Sequence, residues 1–229
     1  MFHFKQLIMY GMCNNSMTIT YDDVKKAQET QSEIIRKTSL EFSETFSKIC
    51  GAKVFLKNEY EQKTGSFKIR GAYYKIKSLT DEQKSKGVVA ASAGNHSQGV
   101  AFASNIENIP CTIVMPRTAS PAKVAATKGY GAKVVLEGST YDESWDHAQK
   151  ISTDTNATVI HAFDDSNVIA GQGVIGLEIM EELPDVDEIY VPIGGGGLVA
   201  GIITAVKEKH PHVKIIGVES SAYPAMKKS

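Results

Sequence analysis

Cysteine is scarce in this sequence: Cys13, Cys50 and Cys111 are the only three, and they are widely spaced. That number supports neither a disulfide framework nor a zinc site, and it suits a reducing compartment such as the cytoplasm. An excess of either charge is also lacking, since 25 Lys and Arg stand against 26 Asp and Glu for a formal net charge of −1. A general nucleic-acid binder needs a basic excess to neutralise phosphates, so that class is excluded. No apolar run is long enough to span a bilayer, which argues against a membrane-embedded protein. Internal repeats, low-complexity segments and Pro/Gly/Ser-rich linkers are missing too. Any domain boundary is therefore made by chain crossings and not by a tether. What remains is an ordinary globular composition, 42% hydrophobic and 22% charged over 229 residues, enough for a sizeable core.

Residues 1–16 are Met-rich and aromatic, with short, broken apolar stretches, and read as a mobile arm or upstream extension rather than a signal peptide. A charged helical pattern follows from Val24 to Arg36. From Val54 onward, short β-rich runs alternate with helical stretches. The runs are 54–56, 88–91, 112–115, 134–136, 158–160, 189–191 and 213–218. The expected helices lie near 67–79, 97–105, 121–129, 140–153, 169–182 and 198–209. Near-continuously apolar strands separated by helices imply a parallel sheet covered on both faces, hence a doubly wound α/β fold. In such a sheet, ligands bind where strands end and helices begin.

Three strand-to-helix turns are unusual. Gly194-Gly195-Gly196-Gly197 follows an apolar strand and precedes a helix starting near Leu198. Side-chain-free backbone beside a positive helix end suits a phosphate. The same stretch admits a rival reading, because Gly195, Gly197 and Ala200 match a dinucleotide fingerprint with Glu219 as the ribose acid. It stands too late in the chain for such a unit to be completed. The second turn is Ser92-Ala93-Gly94-Asn95-His96. Its small residues allow close approach, and the helix start that follows suits a carboxylate. The third is Thr64-Gly65-Ser66-Phe67-Lys68-Ile69-Arg70-Gly71-Ala72. A lysine in a helix's first turn is repelled by the dipole; if it is also buried its amine becomes neutral and able to form a Schiff base, and the alternative is an ordinary solvated surface lysine. Phe67 beside it offers an aromatic wall. A phosphate cradle, a reactive lysine and a carboxylate loop together fit pyridoxal phosphate carrying an amino acid. Bland readings suffice elsewhere: Trp145 and Cys111 as core, Asp81 to Lys86 as a solvated helix end, and His147, His161, His210 and His212 without metal-ligand spacing.

These three motifs, in this order, resemble the serine/threonine dehydratases and serine racemases, members of the tryptophan-synthase β-like (fold type II) pyridoxal-phosphate enzymes. Ile169-Ala170-Gly171-Gln172-Gly173 and Gly217-Val218-Glu219 are lesser matches, and the resemblance runs from about Thr18 to the end. It implies an L-threonine/L-serine ammonia-lyase of isoleucine biosynthesis or threonine catabolism. Lys68 would hold the cofactor and take the substrate α-proton. Phe67 would pack on the pyridine ring, and Asn95 would bond its phenolic oxygen. Gly194, Gly195, Gly196, Gly197 and Leu198 would hold the phosphate. Ser92, Ala93, Gly94, Asn95 and His96 would grip the substrate carboxylate.

Racemases of the family place a serine where this chain has Ala93. Alanine cannot supply a proton on the face opposite the lysine, so dehydration is expected over racemisation. They also hold a cation near the position of Glu219, with a further carboxylate shortly after; none follows here, so no metal is expected. The resemblance further implies a homo-oligomer, a dimer or tetramer. It implies a larger domain of 17–85 and 165–229, a smaller one of 86–164, and the cofactor in the cleft between. Family members run substantially further than this chain. The remaining strands and the Ser, Thr or Cys that pairs with the pyridine nitrogen are expected beyond it, so a fragment that binds the cofactor without turnover is the alternative.

Overall fold

A computed structural model describes residues 19–222 and 224–228; the reading of residues 1–16 lies outside them. The chain runs α1 (Tyr21–Gln31), β1 (Leu40–Phe42), α2 (Glu44–Cys50), β2 (Phe55–Lys57), a 3-10 turn (Glu59–Glu61), α3 (Lys68–Lys77) and α4 (Asp81–Lys86). A strand–helix alternation follows: β3 (Val88–Ala91), α5 (Asn95–Ile106), β4 (Cys111–Met115), α6 (Pro121–Gly129), β5 (Lys133–Leu136), α7 (Tyr141–Thr155) and β6 (Thr158–Val159). The last elements are α8 (Ser166–Glu182), β7 (Glu188–Pro192), α9 (Gly197–Lys207), β8 (Lys214–Val218) and α10 (Ala225–Lys228).

The helix starts are written in the sequence. Thr20 and Thr80 close capping boxes with Asp23 and Gln83, and Ser43, Thr140 and Asp165 accept from the first-turn amides of their helices. The charged pattern expected to Arg36 ends as a helix at Gln31, followed by a turn. The segment 81–86 is a short capped helix of its own.

Strands β5-β4-β3-β6 form a four-stranded parallel sheet, β7 and β8 a parallel pair, and β1 and β2 an antiparallel pair. The α/β, mostly parallel architecture expected of the alternation is present. Burial on both faces holds for β3, whose four residues are all buried, and nearly for β4. It does not hold for β7 and β8. Ile189 and Val191 pack with Ile175, Ile179, Ile202 and Val206 of α8 and α9, while Tyr190 and Val218 are exposed. Among the described residues, helices cover one face only of that pair.

Helix α8 is the central pillar, packed against α1, α3 and α9. It crosses α9 where Gly173 meets Gly201; a Cβ on Gly201 would stand 2.4 Å from the Ile169 carbonyl oxygen, so only glycine permits this approach. Beside α8 lies a buried ionic cluster. Arg70, fully buried, grips Glu59 through Nε and Nη2 (2.8 and 2.7 Å) and Glu178 through Nη1 and Nη2 (2.7 and 2.9 Å). Lys57 adds a contact to Glu178 at 2.8 Å. Burial opposes the guanidinium charge, but the two carboxylates outweigh it and raise the Arg70 pKa. No helix among the described residues is long and apolar enough to cross a membrane.

Candidate functional site

Lys68 is the first residue of α3. Its Nζ lies 5.3 Å from the centroid of the Phe67 ring and donates to the Ala162 carbonyl oxygen at 2.8 Å. Burial pushes its pKa below the ordinary lysine value. Desolvation is the cause, and it acts in the direction of the expected neutral amine. Next to it, Ser66 and Thr64 are buried, and their hydroxyl oxygens have no hydrogen-bond partner among the described residues. Gly65 turns the chain into this helix with φ of 71°.

The second motif links β3 to α5. Ser92 Oγ accepts from the Gly94 amide at 3.2 Å, and Ser97 Oγ donates to the Gly94 carbonyl at 2.6 Å. Asn95 opens α5 and is exposed. His96 is buried, its Nε2 donating to the Ile160 carbonyl at 2.9 Å. Burial pushes its pKa down to about 4, so the ring is neutral with the proton on Nε2, and its Nδ1 has no partner among the described residues. The His96 ring is thus committed to the protein interior. Helix α5 packs directly on the lysine turn: a Cβ on Gly99 would lie 3.2 Å from the Lys68 carbonyl carbon.

The glycine loop joins β7 to α9. Gly196 caps the helix in the left-handed region at φ 86°, which glycine adopts without strain. A Cβ on Gly195 would sit 2.3 Å from the Phe163 ring, and one on Gly197 would sit 2.7 Å from the Phe163 carbonyl oxygen. Around Gly194 there is open space. Leu198 and Phe67 pack against the same hydrophobic cluster. Helix α9 has eleven residues, and its amide end carries positive partial charge.

All three motifs therefore meet, and they meet on the segment 160–164. Ile160 holds His96, Ala162 holds Lys68, and Phe163 floors the glycine loop. Sequence reasoning missed this segment. Two of its contacts are backbone carbonyls, which leave no mark in residue type. His161 could have been found by its place directly after a strand. Trp145 packs as expected against the cluster of α7 and β3, and its ring also meets His161 edge-on at 5.0 Å. Glu219 lies outside this constellation: its carboxylate accepts from the Met226 and Lys227 amides (2.8 and 3.0 Å) and caps α10. Gln172 is fully buried on α8 with both amide atoms unpartnered among the described residues.

Residues 31–229 match the family described as pyridoxal-phosphate dependent enzyme. An L-threonine ammonia-lyase of Thermotoga maritima is 52% identical over 208 residues, covering 91% of this chain and 52% of that protein. A structure of maize serine racemase superposes with a TM-score of 0.89 at 36% identity, covering 92% of this chain and 64% of the other. The processed threonine deaminase isoform 2 of Solanum lycopersicum gives 0.87 at 40% identity, covering 90% and 57%. The chain spans about half the length of the Thermotoga relative.

Proposed function

The chain belongs to the pyridoxal-phosphate dependent enzymes, and from that premise we propose that it serves an ammonia-lyase that removes the β-hydroxyl and the amino group of L-threonine or L-serine. The products are 2-oxobutanoate or pyruvate, with ammonia. One observation carries the reading: the Lys68 amine is desolvated and held on a carbonyl, not a carboxylate, at the meeting point of the three loops.

The residues present fit the cofactor. The buried Ser66 and Thr64 hydroxyls lack partners beside Lys68, and the open space at Gly194 adjoins the amide end of α9. With the cofactor bound, backbone N–H groups of Gly194, Gly195, Gly196, Gly197 and Leu198 would hold the phosphate, and Lys68 would hold the cofactor at its aldehyde group. Phe67 would pack on the pyridine ring, and Asn95 would bond its phenolic oxygen. When bound, pyridoxal phosphate supplies an electron sink for the substrate α-carbon.

The chain's own work is to bind, orient and move a proton. Backbone N–H groups and the Ser92 hydroxyl of the turn from Ser92 to His96 orient the substrate carboxylate. This leaves the α-hydrogen within reach of Lys68 Nζ. A neutral Nζ accepts that proton, and burial, which lowers its pKa, favours the neutral form. Ala93 has no proton to deliver to the opposite face, which favours elimination over racemisation.

Residues 86–164 form the smaller domain in this account and close on the substrate. The working form is a homo-oligomer, and the free thiols of Cys50 and Cys111 suit the cytoplasm. The function is tested by ammonia release from L-threonine and L-serine. Release by wild type and its loss in Lys68→Ala support the reading; a wild type that binds pyridoxal phosphate but releases no ammonia from either amino acid overturns it.

A further inference from the structure

The segment that joins the three loops, 160–164, has no regular secondary structure beyond the end of β6. Its shape must come from side chains. Nδ1 of His161 accepts from the Asp164 amide at 2.7 Å and the Phe163 amide at 3.3 Å. The ring is held edge-on by two others, Trp145 at 5.0 Å and 84° and Phe163 at 4.7 Å and 80°. Acceptance at Nδ1 requires a neutral ring with its proton on Nε2. One imidazole thus closes the turn whose carbonyl holds Lys68 and whose aromatic ring lies against Gly195.

We propose that His161 is the positioning residue of the site: its Nδ1 folds 160–164 into the turn that sets the Ala162 carbonyl against Lys68 and the Phe163 ring beneath the glycine loop. His161 touches no reacting atom and acts through Ala162 and Phe163. The inference rests on the reading that Lys68 carries the cofactor and that the glycine loop holds its phosphate, and it deepens that reading. A histidine serves here because two amides converge on one acceptor while two aromatic rings need a flat partner. Phenylalanine keeps the ring contacts and loses the acceptor. Asparagine loses the ring but can bring its Oδ1 close to the place of Nδ1.

The test uses the full chain as wild type, His161→Phe and His161→Asn. Two readouts are independent of turnover: amide hydrogen exchange at Phe163 and Asp164, and the affinity for added pyridoxal phosphate. Two lost backbone bonds correspond to about a tenfold effect. We expect His161→Phe to exchange these amides about tenfold faster and to bind the cofactor about tenfold more weakly, with α8 and β3 still protected, and His161→Asn to restore most of both. The proposal is overturned if His161→Phe keeps wild-type exchange and affinity, or if His161→Asn rescues neither. Should His161→Phe not fold, His161→Asn decides alone: near-wild-type protection and affinity support the role, and loss of either overturns it. A wild type that binds the cofactor but releases no ammonia would remove the proposed function while these two readouts still decide on His161.

Discussion

The Nζ of Lys68 stands 2.8 Å from the carbonyl oxygen of Ala162, ninety-four residues away in the chain. This contact joins the start of α3 to the segment after β6, and it gives the amine a partner that does not hold it in the charged form. An Asp or Glu in place of that carbonyl would raise the lysine pKa and quench the nucleophile.

Lys68→Ala is expected to abolish the visible absorbance that pyridoxal phosphate gives when it is joined to the protein. The thermal midpoint should shift little, because the amine makes one hydrogen bond and no ion pair among the described residues. Absorption spectra and melting curves of the two proteins check this together.

Gly195→Ala places a methyl group 2.3 Å from the Phe163 ring. The ring or the loop must move, and overpacking of this kind costs about 1–3 kcal/mol. Affinity for pyridoxal phosphate should fall about tenfold or more by equilibrium titration. Gly194→Ala, which meets open space, should fold with wild-type stability.

Ala93→Ser supplies a hydroxyl next to Ser92, at a position of its turn where wild type has no proton to offer. Wild type should form pyruvate from L-serine faster than D-serine. The variant should raise the D-serine share, measured by chiral chromatography. An unchanged share would show that the opposite-face proton comes from elsewhere.

His96 is held below its ordinary pKa of 6.5, at about 4, by burial. The unfolded chain therefore binds a proton that the folded chain refuses. Its stability contribution is complete above about pH 6.5 and is lost as pH falls from there towards about 4. The full loss is on the order of 3 kcal/mol. His161, also held down by burial, adds in the same direction. Urea midpoints at pH 7.5 and pH 5 check this, and His96→Asn should flatten the difference.

Arg70→Met leaves Glu59 and Glu178 without the guanidinium they share, and Lys57 still contacts Glu178. Breaking such a cluster from one side costs about 3–5 kcal/mol. Chemical denaturation should show that loss, and Arg70→Met combined with Glu178→Gln should recover part of it.

Much of this was legible in the sequence. Glycines, a helix-start lysine and small residues before a helix are residue types chosen by backbone geometry, so the three turns could be read directly. The alternation of apolar runs gave the parallel strands β3 to β6 for the same reason. The strand β1 and helix α2 were not legible: the strand has three residues and the helix seven, with little buried surface to impose a period. The exposed faces of β7 and β8 were hidden because their apolar residues read as buried. The carbonyls of Ile160 and Ala162 carry no residue signature at all, and only the folded chain reveals what they hold.

The central claim is that Lys68 carries the cofactor. Borohydride treatment of the protein with bound pyridoxal phosphate fixes the cofactor to the lysine that bears it, and peptide mass spectrometry then identifies that lysine. The account predicts the added mass on Lys68, with none in Lys68→Ala. The same mass on another lysine, or on none, would contradict it.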